Sequence, residues 1–155
     1  MQTNAQRPPK EPKERWTETV YFDSGTGRGE GVEIKVVDSS GRNLTPLVVP
    51  KDRLTQYGTA RLSPGRTNNF GELLACYHAL KAALRFGYGR VAGDSKLVLD
   101  YWSKGHVTSK TARSNPDLVK LAQKTARLRR LFEQAGGKLE YVEGKDNPAD
   151  LGFHR

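Results

Sequence analysis

Residues 67–80 read TNNFGELLACYHAL, and the character of the chain changes there. Phe70, Leu73, Leu74, Tyr77, Leu80 and Leu84 recur at the i, i+3, i+4, i+7 spacing that gathers apolar side chains on one face of a helix. Gly87 and Gly89 end that pattern. Upstream the segments are shorter and β-prone. Thr19 to Asp23 (TVYFD) and Val32 to Val37 (VEIKVV) read as strands, separated by Gly25, Gly27, Gly29 and Gly31 and closed by the turn at 39–41. A third strand is expected between Leu44 and Leu62, where Pro46 and Pro50 interrupt the run. Together these segments read as an antiparallel meander.

Downstream of the helix, Val91-Ala92 suggests a short strand and Asp94-Ser95 opens a second helix. Leu97, Val98, Tyr101 and Trp102 would share one of its faces. After a basic polar stretch, Leu118, Leu121, Thr125, Leu128 and Phe132 mark a third helix, ended by Gly136-Gly137. Leu139 to Val142 is the last expected strand. Asn147-Pro148 reads as a helix start, with Asn as N-cap and Pro at the first helical position. The order βββ, α, β, α, α, β, α predicts an α/β domain. Its five-stranded mixed sheet has three antiparallel strands followed by βα units and is flanked by helices.

A chain of 155 residues supports one compact domain of this kind. That domain is expected over residues 16–155, preceded by a polar, basic, Pro-rich arm over 1–15 with too little apolar surface to fold. The formal net charge of +9, from 26 basic and 17 acidic residues, attracts polyanions without saying which. The single cysteine, Cys76, excludes an intramolecular disulfide and reads as a buried, inert thiol. No apolar run approaches bilayer length, and the N-terminus lacks the apolar stretch of a secretory signal. A cytoplasmic monomer with no membrane contact is the expectation.

Acidic residues fall at junctions of strand and helix: Asp23, Glu72, Asp94 and Asp150. Ligand sites collect at such junctions in open α/β sheets. Taken singly, most have a local explanation. Glu72 lies three residues after Asn69, as in a capping box. Asp94 could be an N-cap, and Asp150 could favour a helix dipole. Asp23 resists such a reading because it follows an apolar run expected to be central. His78, His106 and His154 lack ligand spacing, so packing or solvated roles are expected for them rather than zinc binding.

Beyond the arm, the chain resembles the ribonuclease H family over roughly its whole length. YFDSGT (21–26) is similar to the family's opening strand with its aspartate, Asp23. In TNNFGELLACYHAL, Asn68, Asn69 and Glu72 match Asn-Asn-x-x-Glu. GDSKLVLDYW (93–102) matches the Asp-Ser pair before a helix, at Asp94. The segment from Asn115 resembles the Asn-x-Asp-Leu start of a later helix. VEGKDNPAD (142–150) resembles the closing strand, loop and helix start, with a retroelement-like Asn-Pro-Ala-Asp ending at Asp150. Matches in this order are far more specific than any one of them. One departure is the loop after the last strand. There the family often has a histidine, associated with turnover rather than metal binding, and this chain has Lys145 or Asp146. The expected final helix is also short.

The resemblance implies an endoribonuclease that cuts the RNA strand of an RNA–DNA hybrid, leaving 5′-phosphate and 3′-hydroxyl ends. It implies two Mg²⁺ ions per site, or Mn²⁺ in their place, held by Asp23, Glu72, Asp94 and Asp150. Asp23 would bridge both ions, Asp150 would serve the ion that activates water, and Glu72 and Asp94 the ion at the leaving oxygen. Asp146 is the rival fourth ligand. Asp150 is favoured because Asn147-Pro148 would set it in a first helical turn.

Substrate contacts are expected from Ser24, Thr67, Asn68, Asn69 and Ser95. Further contacts are expected from a basic stretch with few acids that includes Trp102, Lys104, Lys110, Arg113 and Asn115. The alternatives are a DNA nuclease or junction resolvase of the same fold, and a hybrid-binding module without catalysis.

Overall fold

A computed structural model of the chain describes residues 16–151. The expected arm over 1–15 and the last residues, 152–155, lie outside that range. The strands are β1 (Thr19–Gly25), β2 (Glu33–Asp38), β3 (Ala60–Arg61), β4 (Arg90–Gly93) and β5 (Lys138–Tyr141). The helices are α1 (Thr45–Val48), α2 (Asn68–Phe86), α3 (Lys96–Asp100), α4 (Ser109–Ser114) and α5 (Pro116–Gln134). The sheet order is β3-β2-β1-β4-β5. β1 pairs antiparallel with β2 and parallel with β4, so the sheet is mixed as the sequence implies.

β1 and β2 form a hairpin in register from Val20 opposite Asp38 to Gly25 opposite Glu33. Its glycine-rich turn is anchored by a buried charge. Glu33 is fully buried and accepts from Arg28 Nε at 3.1 Å and from Thr59 Oγ1 at 2.6 Å. The Arg28 guanidinium lies 3.7 Å from the centre of the Tyr57 ring. A buried carboxylate is tolerated only when paired and hydrogen-bonded, and Glu33 is both.

The third strand is only two residues long. The prolines upstream turn the chain into the single helical turn α1 and a 3₁₀ turn at Lys51–Arg53 instead.

α2 is the central helix. Thr67, not Asn69, caps it by accepting from the Phe70 amide at 3.1 Å, and Gly87 ends it with φ +81. It packs against β1, β2, β4 and α5, and is therefore buried on nearly every side. The expected stripe is shifted accordingly. Leu73, Cys76 and Leu80 are fully buried, whereas Leu84 is exposed. Burial pushes the Cys76 thiol up to about 12, which keeps it inert.

In α3 the expected face is corrected: Val98 and Leu99 are buried, while Leu97 and Tyr101 are exposed. α5 buries Leu118, Leu121, Thr125 and Phe132 of the stripe read from sequence, with Leu128 only partly buried. Among the described residues no helix is long and apolar enough to cross a membrane.

Candidate active site

β1 and β4 run parallel, and their last registered pair is Tyr21 with Ala92. Beyond it β1 continues into its hairpin with β2 while β4 leads into α3, so the two strands part company at their C-terminal ends. Such a split is where open α/β sheets bind ligands. Asp23 lies just past this pair on β1, and Asp94 directly follows β4.

Glu72 reaches this split from the first turns of α2. Its carboxylate is not part of a capping box. Oε1 instead accepts from the Ser24 backbone amide at 3.0 Å. Glycines keep two packings tight here, α2 against β1 and β4 against β1. A Cβ on Gly71 would fall on Ser24 Oγ and Val32, and one on Gly93 would fall on the Phe22 ring. The Ser24 hydroxyl donates to Asn68 Oδ1 at 2.9 Å, which closes the link between β1 and the start of α2.

Asp23, Glu72 and Asp94 each present a carboxylate oxygen within 4.8 Å of the others. Asp23 is 2% exposed and Glu72 5% exposed. Burial raises the Asp23 pKa, and the charge of Asp94 raises it further. Burial likewise raises Glu72, followed by the charge of Asp23. Among the described residues, Glu72 Oε2 is buried with no hydrogen-bond partner. Like charges gathered in a low-dielectric site are costly unless a proton or a cation joins them. The donor set is all oxygen, which suits a hard divalent ion.

Asp150 reaches the same place by another route. Asp23, Ser24, Gly25, Thr26, Gly27, Asn68, Asp150 and Leu151 line a hollow of about 170 Å³. Asp150 is half-buried there and is not one of the three clustered carboxylates. Its expected setting is corrected. Through Leu151 the chain makes a 3₁₀ turn at Gly144–Asp146 and then a tight turn, not the first turn of a helix capped by Asn147. Asp146 does not line the hollow.

The other expected contact residues are dispersed. Thr67, Asn68 and Asn69 are exposed at the start of α2. Ser95, rather than Asp94, caps α3 by accepting from the Val98 amide at 3.3 Å. Trp102 is partly buried in a 3₁₀ turn that ends at the exposed Lys104, and Lys110 and Arg113 are exposed on α4. Asn115 caps α5, accepting from the Leu118 amide at 3.2 Å.

Sequence reasoning did not find the roles of Gly71, Gly93 and Asn147. The Asn147 amide donates to the Phe22 carbonyl at 3.0 Å. The Asn-Pro pair was a visible signal, but the partner that defines its role is 125 residues away.

No family model matches the chain, and no curated protein is significantly similar to it in sequence. Solved structures are similar in architecture. Ribonuclease H1 from the halophilic archaeon Halobacterium salinarum superposes with a TM-score of 0.51 at 22% identity, over 88% of this chain and 93% of that one. The N-terminal ribonuclease H domain of Rv2228c from Mycobacterium tuberculosis superposes with a TM-score of 0.50 at 23% identity, over 84% and 85%. At such identities the likeness shows the fold alone: the chain has the ribonuclease H fold.

Proposed function

We propose that this chain is a divalent-metal-dependent endoribonuclease that hydrolyses the RNA strand of RNA–DNA hybrids. The observation that carries the reading is the convergence of Asp23, Glu72 and Asp94 within 4.8 Å at the sheet split of a ribonuclease H fold. The orphaned Glu72 Oε2 and the raised affinity of Asp23 and Glu72 for protons fit a site that cations complete.

Asp23, Glu72 and Asp94 would hold one Mg²⁺ or Mn²⁺ ion. Asp23 and Asp150, which line one hollow, would hold a second. Bound there, the pair supplies an activated water and charge compensation at the leaving 3′ oxygen, giving 5′-phosphate and 3′-hydroxyl ends. The chain's own groups set the frame. The Ser24 amide orients Glu72, and the Leu151 amide, donating to Asp23 Oδ2 at 3.3 Å, orients Asp23.

Thr67, Asn68 and Asn69, at the exposed N-terminus of the long helix α2, would meet sugar and phosphate groups. Ser24 and Ser95 would add minor contacts, and Trp102, Lys104, Lys110, Arg113 and Asn115 would extend the grip along the backbone. Recognition would then rest on duplex shape and the 2′-hydroxyl rather than on base sequence. Action as a monomer in an intracellular setting belongs to the same reading.

Cleavage of a matched hybrid, double-stranded RNA, double-stranded DNA and a four-way junction, each with Mg²⁺ and with chelator, tests it. The expected result is Mg²⁺-dependent cutting of the hybrid alone. Cutting of the junction alone would transfer the site to a DNA nuclease, and hybrid binding without cleavage would make the chain a binding module.

A further inference from the structure

Resting on the metal-site reading above, we infer that Asn147 is a positioning residue: its side chain clamps the closing loop to β1 and thereby sets Asp150 beside Asp23. β1 outruns its parallel partner, since the last β1–β4 pair is Tyr21 with Ala92. The Phe22 carbonyl finds its partner elsewhere: Asn147 Nδ2 donates to it at 3.0 Å in a buried bond. The same side chain organises its own loop. Asn147 Oδ1 accepts from the Ala149 amide at 2.9 Å, an Asx turn. The Asn147 carbonyl accepts from the Asp150 amide at 2.9 Å, which makes residues 147–150 a turn with Pro148 at its second position. One residue later, the Leu151 amide reaches Asp23 Oδ2.

Asp150 is thus held between two links to consecutive β1 residues, Phe22 and Asp23. Only an amide serves both ends of the Asn147 clamp. A carboxylate would keep the acceptor for Ala149 but could not donate to Phe22, and it would add a negative charge near the cluster. Asn147 itself is 4% exposed, and both ends of its amide are taken up by Phe22 and Ala149, so it would supply no ligand to either ion. It acts through Asp150. Outer-shell partners of this kind typically change metal affinity or activity by roughly 10–100-fold when removed.

The test uses the full chain as wild type, Asn147→Ala, Asn147→Asp, Asp150→Asn and the double variant Asn147→Ala/Asp150→Asn. Mn²⁺ affinity is read by electron paramagnetic resonance, hybrid cleavage as kcat and KM, and protection of the Leu151 amide by hydrogen exchange. The expected result for Asn147→Ala is Mn²⁺ affinity and kcat lowered roughly 10–100-fold, with KM for the hybrid retained and Leu151 protection lost. Asn147→Asp should be at least as impaired, because it lacks the donor. The double variant should bind Mn²⁺ no more weakly than Asp150→Asn alone.

Wild-type affinity, kcat and Leu151 protection in both Asn147 variants would overturn the inference. So would full additivity in the double variant, because Asn147 would then not act through Asp150. If the wild type itself neither binds Mn²⁺ nor cuts hybrid, the metal-site reading fails with it. Leu151 protection still decides whether the clamp exists.

Discussion

The backbone amide of Ser24 donates to Glu72 Oε1 at 3.0 Å across 48 residues of sequence, so β1 and α2 meet at the acidic cluster itself. Such proximity demands that the helix lie almost on the strand. Gly71 allows it, since any side chain there would strike Ser24 and Val32. Gly71→Ala is expected to cost about 1–3 kcal/mol through overpacking. It should also weaken divalent binding by displacing Glu72. Urea denaturation and a metal titration on the same variant check both effects.

Proton release should accompany metal binding. Burial and neighbouring carboxylates raise the pKa of Glu72 and of Asp23, so without cations the cluster retains a proton at neutral pH. A divalent ion must displace it, and apparent affinity is expected to rise with pH. Stability without metal follows the opposite sign. Groups whose folded pKa is raised bind protons more tightly in the folded state. The metal-free protein should therefore lose stability as pH rises above the ordinary carboxylate range, and Mg²⁺ should restore it. Calorimetric titration in buffers of different ionisation enthalpy detects the released proton, and melting curves with and without Mg²⁺ detect the stability change.

His78 should make the protein acid-sensitive. Burial, aided by Lys81, lowers its pKa to about 4. The unfolded chain takes up a proton near the ordinary histidine value while the folded chain does not. The stability contributed by neutral His78 is therefore complete above about pH 6.5 and is lost as pH falls toward 4, by on the order of 3 kcal/mol. The stability difference between wild type and His78→Leu, measured by urea titration at each pH, should change across that window in the direction of a weakening wild type. A difference independent of pH would reject the role.

The basic segment after α3 is expected to govern affinity rather than chemistry. Lys104, Lys110 and Arg113 are exposed, and none of them belongs to the carboxylate cluster. Replacing all three by alanine should raise KM for the hybrid and leave kcat near wild type. It should also flatten the dependence of log K on log salt by about 0.9 for each phosphate no longer neutralised. An unchanged salt slope would mean these side chains are merely solvated.

Much of this architecture was legible in the sequence because it is locally encoded. The glycine-punctuated strands, the two long helices and the placement of Asp23 and Asp94 at strand ends follow from periodicity and turn chemistry, whereas the caps of α2 and α3 are Thr67 and Ser95 and not Asn69 and Asp94. What escaped reading depends on partners distant in the chain. Burial on nearly every side of α2 hides which stripe faces the sheet, so Leu84 belongs to the apolar stripe by spacing and yet is exposed. Gly71 and Gly93 look like ordinary small residues until β1 is packed beside them. Asn147-Pro148 has the local grammar of a helix start, and only the Phe22 carbonyl reveals it as a clamp.

The most direct measurement of the central claim is hybrid cleavage as Mg²⁺ is titrated, with wild type and Asp94→Asn compared and hybrid binding followed in parallel. The predicted result is Mg²⁺-dependent cutting by the wild type, and loss of cutting with binding largely kept in the variant. Equal cleavage by the two proteins would contradict it.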